Sequence, residues 1–309
     1  MATRIHIPGV VDVLLVADPS EIRTLDDEPH VDRRFVSRGP LINRLIVDRI
    51  RRWFEIDGQL LPSLTPRGDE TRAARQRELS AALDPASGRA LWSESQLKRL
   101  VAYVRGQGSS DDVAITVQET VGRLFDPAYR ADATTWRAAA LIDRFRDGFS
   151  PIQIVWQITG RLRKAFELLH ERCKRDRWTM HATAIGVHGI VHALERMRLL
   201  RAQPDAPSLS DDAVIARSLA PPKQVPRTVE AAFTGPAGAG RLQPGTLVML
   251  QLEQAMPRAP DSEMIFMRDH WNACPAQTFI RALLLAVWHH SLHEKAAAAA
   301  TTTSRESVP

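Results

Sequence analysis

The spacing of apolar residues through the middle of the chain allows little besides helices. Leu41, Leu45, Ile46, Ile50 and Phe54 mark one face of a helix over 41–54. A polar, Arg-rich helix is expected over 69–83, and two more over 93–104 and 111–125. Helices over 133–145 and 151–177 follow. The pattern over 178–201 is apolar at its centre and basic at its end, and Pro204 and Pro207 stop it. Ser210 caps a short helix that ends near Leu219. Past Pro221 the pattern changes. Pro221, Pro222 and Pro226 forbid helix, and Gly235–Gly240 is rich in turn residues. Two short runs read as strands, one over 10–16 and one over 246–252. The fold class predicted is mainly α with small β sheets, placed early and late.

Composition narrows the class. The chain has 309 residues, 44% of them hydrophobic and 25% charged, which suits a globular protein. Two cysteines, Cys173 and Cys274, are too few for a disulfide framework, so a reducing cytoplasmic setting is expected. No run reaches the roughly 18 apolar residues of a membrane span, and none near the start resembles a signal peptide. The net charge is +5, with arginines clustered at Arg33, Arg34, Arg44, Arg49, Arg51 and Arg52. Acids are interleaved and no aromatic-rich nucleic-acid motif accompanies the cluster, so it reads as a solvated face. The expectation is a monomer that binds no nucleic acid. One domain is expected over 1–294, with a disordered, low-complexity tail over 295–309.

Three groups of residues carry candidate chemistry. Cys274 precedes Pro275 and a strongly apolar helical pattern. With Pro275 at the first helical position, Cys274 would sit at the helix lip, where the dipole favours a thiolate. It reads either as a thiolate ligand for a metal or haem iron, or as a small buried thiol. Cys173 lies on a charged stretch and reads as incidental. His181, His188 and His192 share one helix face, and His188 and His192 are four apart. That spacing suits a metal, though a face of satisfied histidines is the plainer reading. Arg227 follows a Pro-rich turn, where a guanidinium suits bidentate contact with a carboxylate, or a surface ion pair. Arg72 and Arg75 share that ambiguity. His289, His290 and His293 read as a basic helix end.

The order of these parts resembles the cytochrome P450 superfamily. Arg217, Pro221-Pro222, Arg227, Pro244-Gly245-Thr246-Leu247-Val248 and Cys274-Pro275 follow one another as that superfamily's second half does. Val13–Arg23 resembles its first strand and helix. Asp57-Gly58, followed by Glu70–Arg75, resembles its haem-propionate region. The resemblance implies a shortened P450-like fold that binds haem b, its iron ligated by Cys274 and its propionates held by Arg227, Arg75 and Arg72. The Cys loop departs from the usual pattern at Met267, His270, Asn272 and Ala276. Val214 stands where the Glu partner of Arg217 is usual, so Asp211 or Asp212 is expected to substitute. On the central helix, His188 and Gly189 stand in place of the usual acid and Thr.

The resemblance therefore implies a haem-thiolate monooxygenase acting on a small apolar organic substrate, with electrons from a ferredoxin or reductase. His188 takes over proton delivery in that reading. Two alternatives remain. One is a hydroperoxide isomerase or lyase, a kind that also lacks the central Thr. The other is a non-catalytic fold that binds haem or a lipid-like ligand.

Overall fold

The computed structural model describes residues 2–84, 92–146, 151–258, 263–267 and 271–303. In chain order its strands are β1 (Ala2–Ile7), β2 (Val11–Val16), β3 (Val31–Asp32), β4 (Glu55–Ile56), β5 (Gln59–Leu60), β6 (Val225–Val229), β7 (Phe233–Thr234), β8 (Arg241–Leu242) and β9 (Leu247–Leu250). The helices are α1 (Pro19–Asp27), α2 (Leu41–Phe54), α3 (Glu70–Ala82), α4 (Glu94–Val104), α5 (Ser110–Arg123), α6 (Ala133–Arg146), α7 (Pro151–Ile158), α8 (Arg161–Arg172), α9 (Arg177–His181), α10 (Val187–Arg201), α11 (Asp211–Ser218), α12 (Leu252–Ala255), α13 (Glu263–Phe266) and α14 (Gln277–Thr303). The chain divides into two compact units.

The first unit comprises Met1–Glu78, Arg175–His181 and Ala220–Pro275. Its centre is a five-stranded sheet in the order β1-β2-β9-β6-β3. β2 pairs with β9 in parallel, Val13 opposite Leu247, and the other neighbours are antiparallel. Leu14, Val16, Val229, Val248 and Leu250 point into a core closed by Ile22 and Leu25 of α1. The Asp18 carboxylate accepts from the Ser20 and Glu21 amides and starts α1 with Pro19 in its first turn. Asn43, fully buried on α2, bonds both backbone groups of Asp12 and the carbonyl of Gly245, tying α2 to β2 and to the turn before β9.

The second unit comprises Leu79–Lys174, Ala182–Leu219 and Ala276–Pro309. Here α10 packs against α4, α5, α11 and α14, and α6 packs against α8. Leu100, Val117, Ile142, Leu194, Met197 and Trp288 are among the residues withdrawn from solvent. Ser93 and Gln96 form a reciprocal capping box on α4, and Ser109 and Ser210 cap α5 and α11. A π-helical turn, Ala182–Gly186, leads into α10.

Several expectations change. The single helix over 151–177 is two helices, because Gly160 adopts φ +68° between them. α14 starts at Gln277, so Pro275 lies ahead of the helix rather than at its first position. It continues to Thr303, past residue 295, and 304–309 are outside the described residues. His289 and His290 are therefore within a helix rather than at its end. His289 pairs with Asp211 at 2.7 Å and His290 bonds the Ala286 carbonyl, while the side chain of His293 is outside the described residues. Neither Asp211 nor Asp212 substitutes for the missing Glu. Asp212 accepts from Arg281, and the nearest carboxylate recorded for Arg217 is Asp205 at 3.8 Å. Cys173 is buried at the end of α8, its sulfur 3.5 Å from the Thr183 hydroxyl, and not on a charged face. Among the described residues, no helix is long and apolar enough to cross a membrane.

Candidate functional site

Two residues before Cys274, the chain enters a buried cluster of charged groups in the first unit. Arg227 leaves β6 with no exposed surface, and its Nη2 and Nε donate to Asp26 Oδ1 at 2.7 and 3.1 Å. Asp26 lies at the end of α1 and is itself buried. Trp271 is surrounded by guanidinium groups. Those of Arg33, Arg72, Arg67 and Arg227 lie 4.9, 5.1, 5.3 and 5.7 Å from its rings. Its indole N–H donates to the Asp26 carbonyl at 3.1 Å. Asn272, with its amide oxygen turned to the cations, accepts from Arg33 at 2.8 Å and from Arg227, and donates to Asp26 Oδ2 at 3.2 Å.

The electrostatics of this cluster are unbalanced. Four guanidiniums lie among two buried carboxylates, Asp26 and Asp32, and the half-buried Asp69 beside Arg72. Burial is the main cause that lowers the pKa values of Arg33, Arg72 and Arg227, and Arg227 adds to the effect on the other two. A guanidinium does not give up its proton in a protein, so the strain is relieved by anions instead. Arg33 Nε and Arg67 Nε are buried and have no hydrogen-bond partner among the described residues. Such donors suit carboxylates or phosphates.

The segment that carries Cys274 is tied to this cluster. Arg72 Nη1 donates to the Trp271 carbonyl at 3.2 Å, and Gln76 on the same helix donates to the Ala273 carbonyl at 2.7 Å. The Cys274 amide donates to the Phe266 carbonyl at 2.9 Å. The thiol is half-buried and outside any disulfide. Cys274, Arg227 and Arg72 thus belong to one neighbourhood. Arg75 does not, since it points outward and pairs with Glu78 at 2.5 Å. His270 is outside the described residues. Sequence reading missed Arg33, Arg67 and Asp26, because the early arginine run resembles any solvated face. Arg34 is indeed exposed, at 61%, while Arg33 beside it is 4% exposed.

His188 belongs to the second unit. It is 5% exposed on α10, its ring 4.7 Å from that of Trp136 on α6. Burial lowers its pKa, which the nearby Asp143 opposes. Its neutral form is therefore the resting one. His181 belongs to the first unit, with Nδ1 3.5 Å from the Ser63 hydroxyl.

No protein-family model matches the chain, and no curated protein matches it. Solved structures do. CYP175A1 from Thermus thermophillus is 15% identical, with a TM-score of 0.55 over 94% of this chain and 82% of that one. Myxobacterial cytochrome P450 CYP267B1, in complex with myristic acid, is 15% identical, with a TM-score of 0.56 over 94% and 84%. Ligand-free cytochrome P450 OleT is 10% identical, with a TM-score of 0.53 over 94% and 83%. At such identities the likeness is one of fold. The fold of this chain is that of the cytochromes P450, mainly helical with small sheets.

Proposed function

We propose that this chain is a haem-thiolate oxidoreductase of monooxygenase type, with residues 1–294 as its haem domain and Cys274 as the iron ligand. One observation carries the reading. Trp271, Asn272 and Ala273 join a half-buried thiol directly to a buried arginine cluster with unpartnered donors. Haem b presents the matching chemistry, a soft-ligand metal and two carboxylates. Arg227, Arg72 and Arg33 would hold the propionates by charge-assisted hydrogen bonds, and Arg75 would serve only from the surface. Haem held by a thiolate supplies oxygen activation. The chain's own contribution is to hold Cys274 through the Phe266 carbonyl and to keep the anchoring cations dry. His188 stands in for the usual acid of the central helix, passing a proton through its ring. The substrate would be a small apolar organic molecule, and electrons would come from a ferredoxin or reductase.

The reduced protein under carbon monoxide tests the ligand. Wild type should show the red-shifted Soret band of a thiolate complex, and Cys274→Ala should lose it while Cys173→Ala keeps it. Stoichiometric haem with an unchanged band in Cys274→Ala overturns the assignment. Anchoring is tested separately. Arg72→Gln should weaken haem retention roughly ten- to a hundredfold, the worth of one charge-assisted contact at about 1.5–3 kcal/mol. Arg227→Ala should do the same, but it also strands Asp26 in the interior, so Arg72→Gln is the cleaner variant. Retention equal to wild type in Arg72→Gln would place the propionates elsewhere.

A further inference from the structure

The second unit carries a cluster of metal-ligating side chains, of which the functional reading uses only His188. Asp143 on α6 and His188 and His192 on α10 each present a ligand atom, all within 4.8 Å of one another. The two histidines are one helical turn apart and so share a face. We propose that Asp143, His188 and His192 form a binding site for a divalent transition-metal ion of the zinc, cobalt and nickel kind. Two imidazoles and one carboxylate are a donor set that such ions take, with water completing the shell.

Three observations support it. His188 is 5% exposed, yet its Nε2 has no hydrogen-bond partner among the described residues. A buried polar nitrogen left in that state is costly unless something binds it. The Asp143 carboxylate on the facing helix is recorded against the other ring nitrogen. Asp143 Oδ2 is 3.9 Å from His188 Nδ1, too far for a hydrogen bond. Second, His192 Nδ1 lies 3.1 Å from Glu195 Oε2. That contact directs the proton to Nδ1 and leaves Nε2 with its lone pair, the arrangement common behind metal-bound histidines. Third, Arg146 Nη2 lies 2.9 Å from Asp143 Oδ1 without hydrogen-bond geometry, which leaves that oxygen unpartnered among the described residues, while Trp136 packs on the His188 ring. The Arg146 charge opposes a cation. At metal–ligand distances of about 2.0–2.1 Å, tetrahedral neighbours lie roughly 3.3 Å apart, so small side-chain rotations complete the site. His192 is exposed, which gives an ion its way in.

This proposal shares only His188 with the functional reading. An imidazole bound to a metal cannot pass a proton, so the two roles exclude each other in one molecule. The test uses full-length protein freed of metal by chelator, in a Cys274→Ala background so that the thiolate does not compete. Titration with Co2+ should give one equivalent bound, with visible absorption of low-coordinate cobalt, and Zn2+ should displace it. His192→Ala and Asp143→Asn should each weaken Co2+ binding ten- to a hundredfold, while His289→Ala should leave it unchanged. His192 is on the surface, so its variant folds even if a change at His188 does not. No binding below millimolar Co2+, or equal binding by His192→Ala, overturns the site. Neither result bears on the carbon monoxide spectrum.

Discussion

Asp12 on β2 is 3% exposed and draws partners from two other strands' surroundings. Arg4 on β1 donates to both its oxygens at 2.8 and 3.0 Å, and the Thr246 hydroxyl donates to Oδ2 at 2.6 Å. Burial pushes its pKa up, but the Arg4 and Thr246 hydrogen bonds, with the charges of Arg4 and His6, outweigh that and hold it below the ordinary carboxylate value. A depressed folded-state pKa contributes stability above the unfolded value, near 4, and loses it as pH falls through the folded one. Asp12→Asn should therefore cost about 1–2 kcal/mol at pH 7, with Arg4 reaching solvent and so weakening the pair. The cost should shrink towards pH 3. Urea midpoints of both proteins across pH 3–7 measure it, and a cost independent of pH would refute the ionic account. At this scale the sequence names residue types but not partners. Arg227 and Arg72 were legible as candidate carboxylate binders. Asp26 was not, because it meets Arg227 across 201 positions, where no local spacing exists.

Element boundaries were far more legible, because caps and periodicity are local. The helix expected over 41–54 is α2, the one expected over 93–104 is α4, and the start read as capped by Ser210 is that of α11. β6 was missed because Pro226 argues against a strand. The sheet accommodates it because β3 pairs only with Thr228 and Val229, so Pro226 has no neighbour to bond on that side. The turn before β9 shows the same dependence on distant backbone. Gly245 has φ +88°, and a Cβ there would lie 2.6 Å from the Arg38 carbonyl oxygen. Gly238 has φ +84°, with open space around it. Gly238→Ala should therefore cost only the strain of a left-handed alanine, about 1–3 kcal/mol, and Gly245→Ala distinctly more, since the chain at Arg38 must move. Thermal midpoints that fall equally in both variants would mean that the close approach carries no cost.

For the whole molecule, the order of parts was the legible signal: strand and helix, helical middle, proline-rich turn, strand, cysteine. The fold matches solved P450 structures at 10–15% identity, while Val214, Gly189 and Asn272 depart from the pattern that the resemblance rests on. What holds such a chain together is a difference of a few kcal/mol, typically about 5–15, so one misplaced charge is felt throughout. Arg33 is such a charge: 4% exposed, with Nε unpartnered and like charges at Arg227 and Arg72 beside it. If it is there to receive an anionic cofactor, the protein without that cofactor is destabilised by it. Arg33→Met, which keeps the packing against Trp271 and removes the charge, should then raise the thermal midpoint of the haem-free protein. Replacing buried ionic groups by apolar ones of similar volume gains about 1–4 kcal/mol in favourable cases. The same variant should retain haem less well than wild type, so its advantage should vanish or reverse when haem is in excess. Were Arg33 a purely structural residue, removing it would leave its acceptors unpaired and lower the midpoint with or without haem. Calorimetry of both proteins, haem-free and haem-loaded, separates the two outcomes by sign alone.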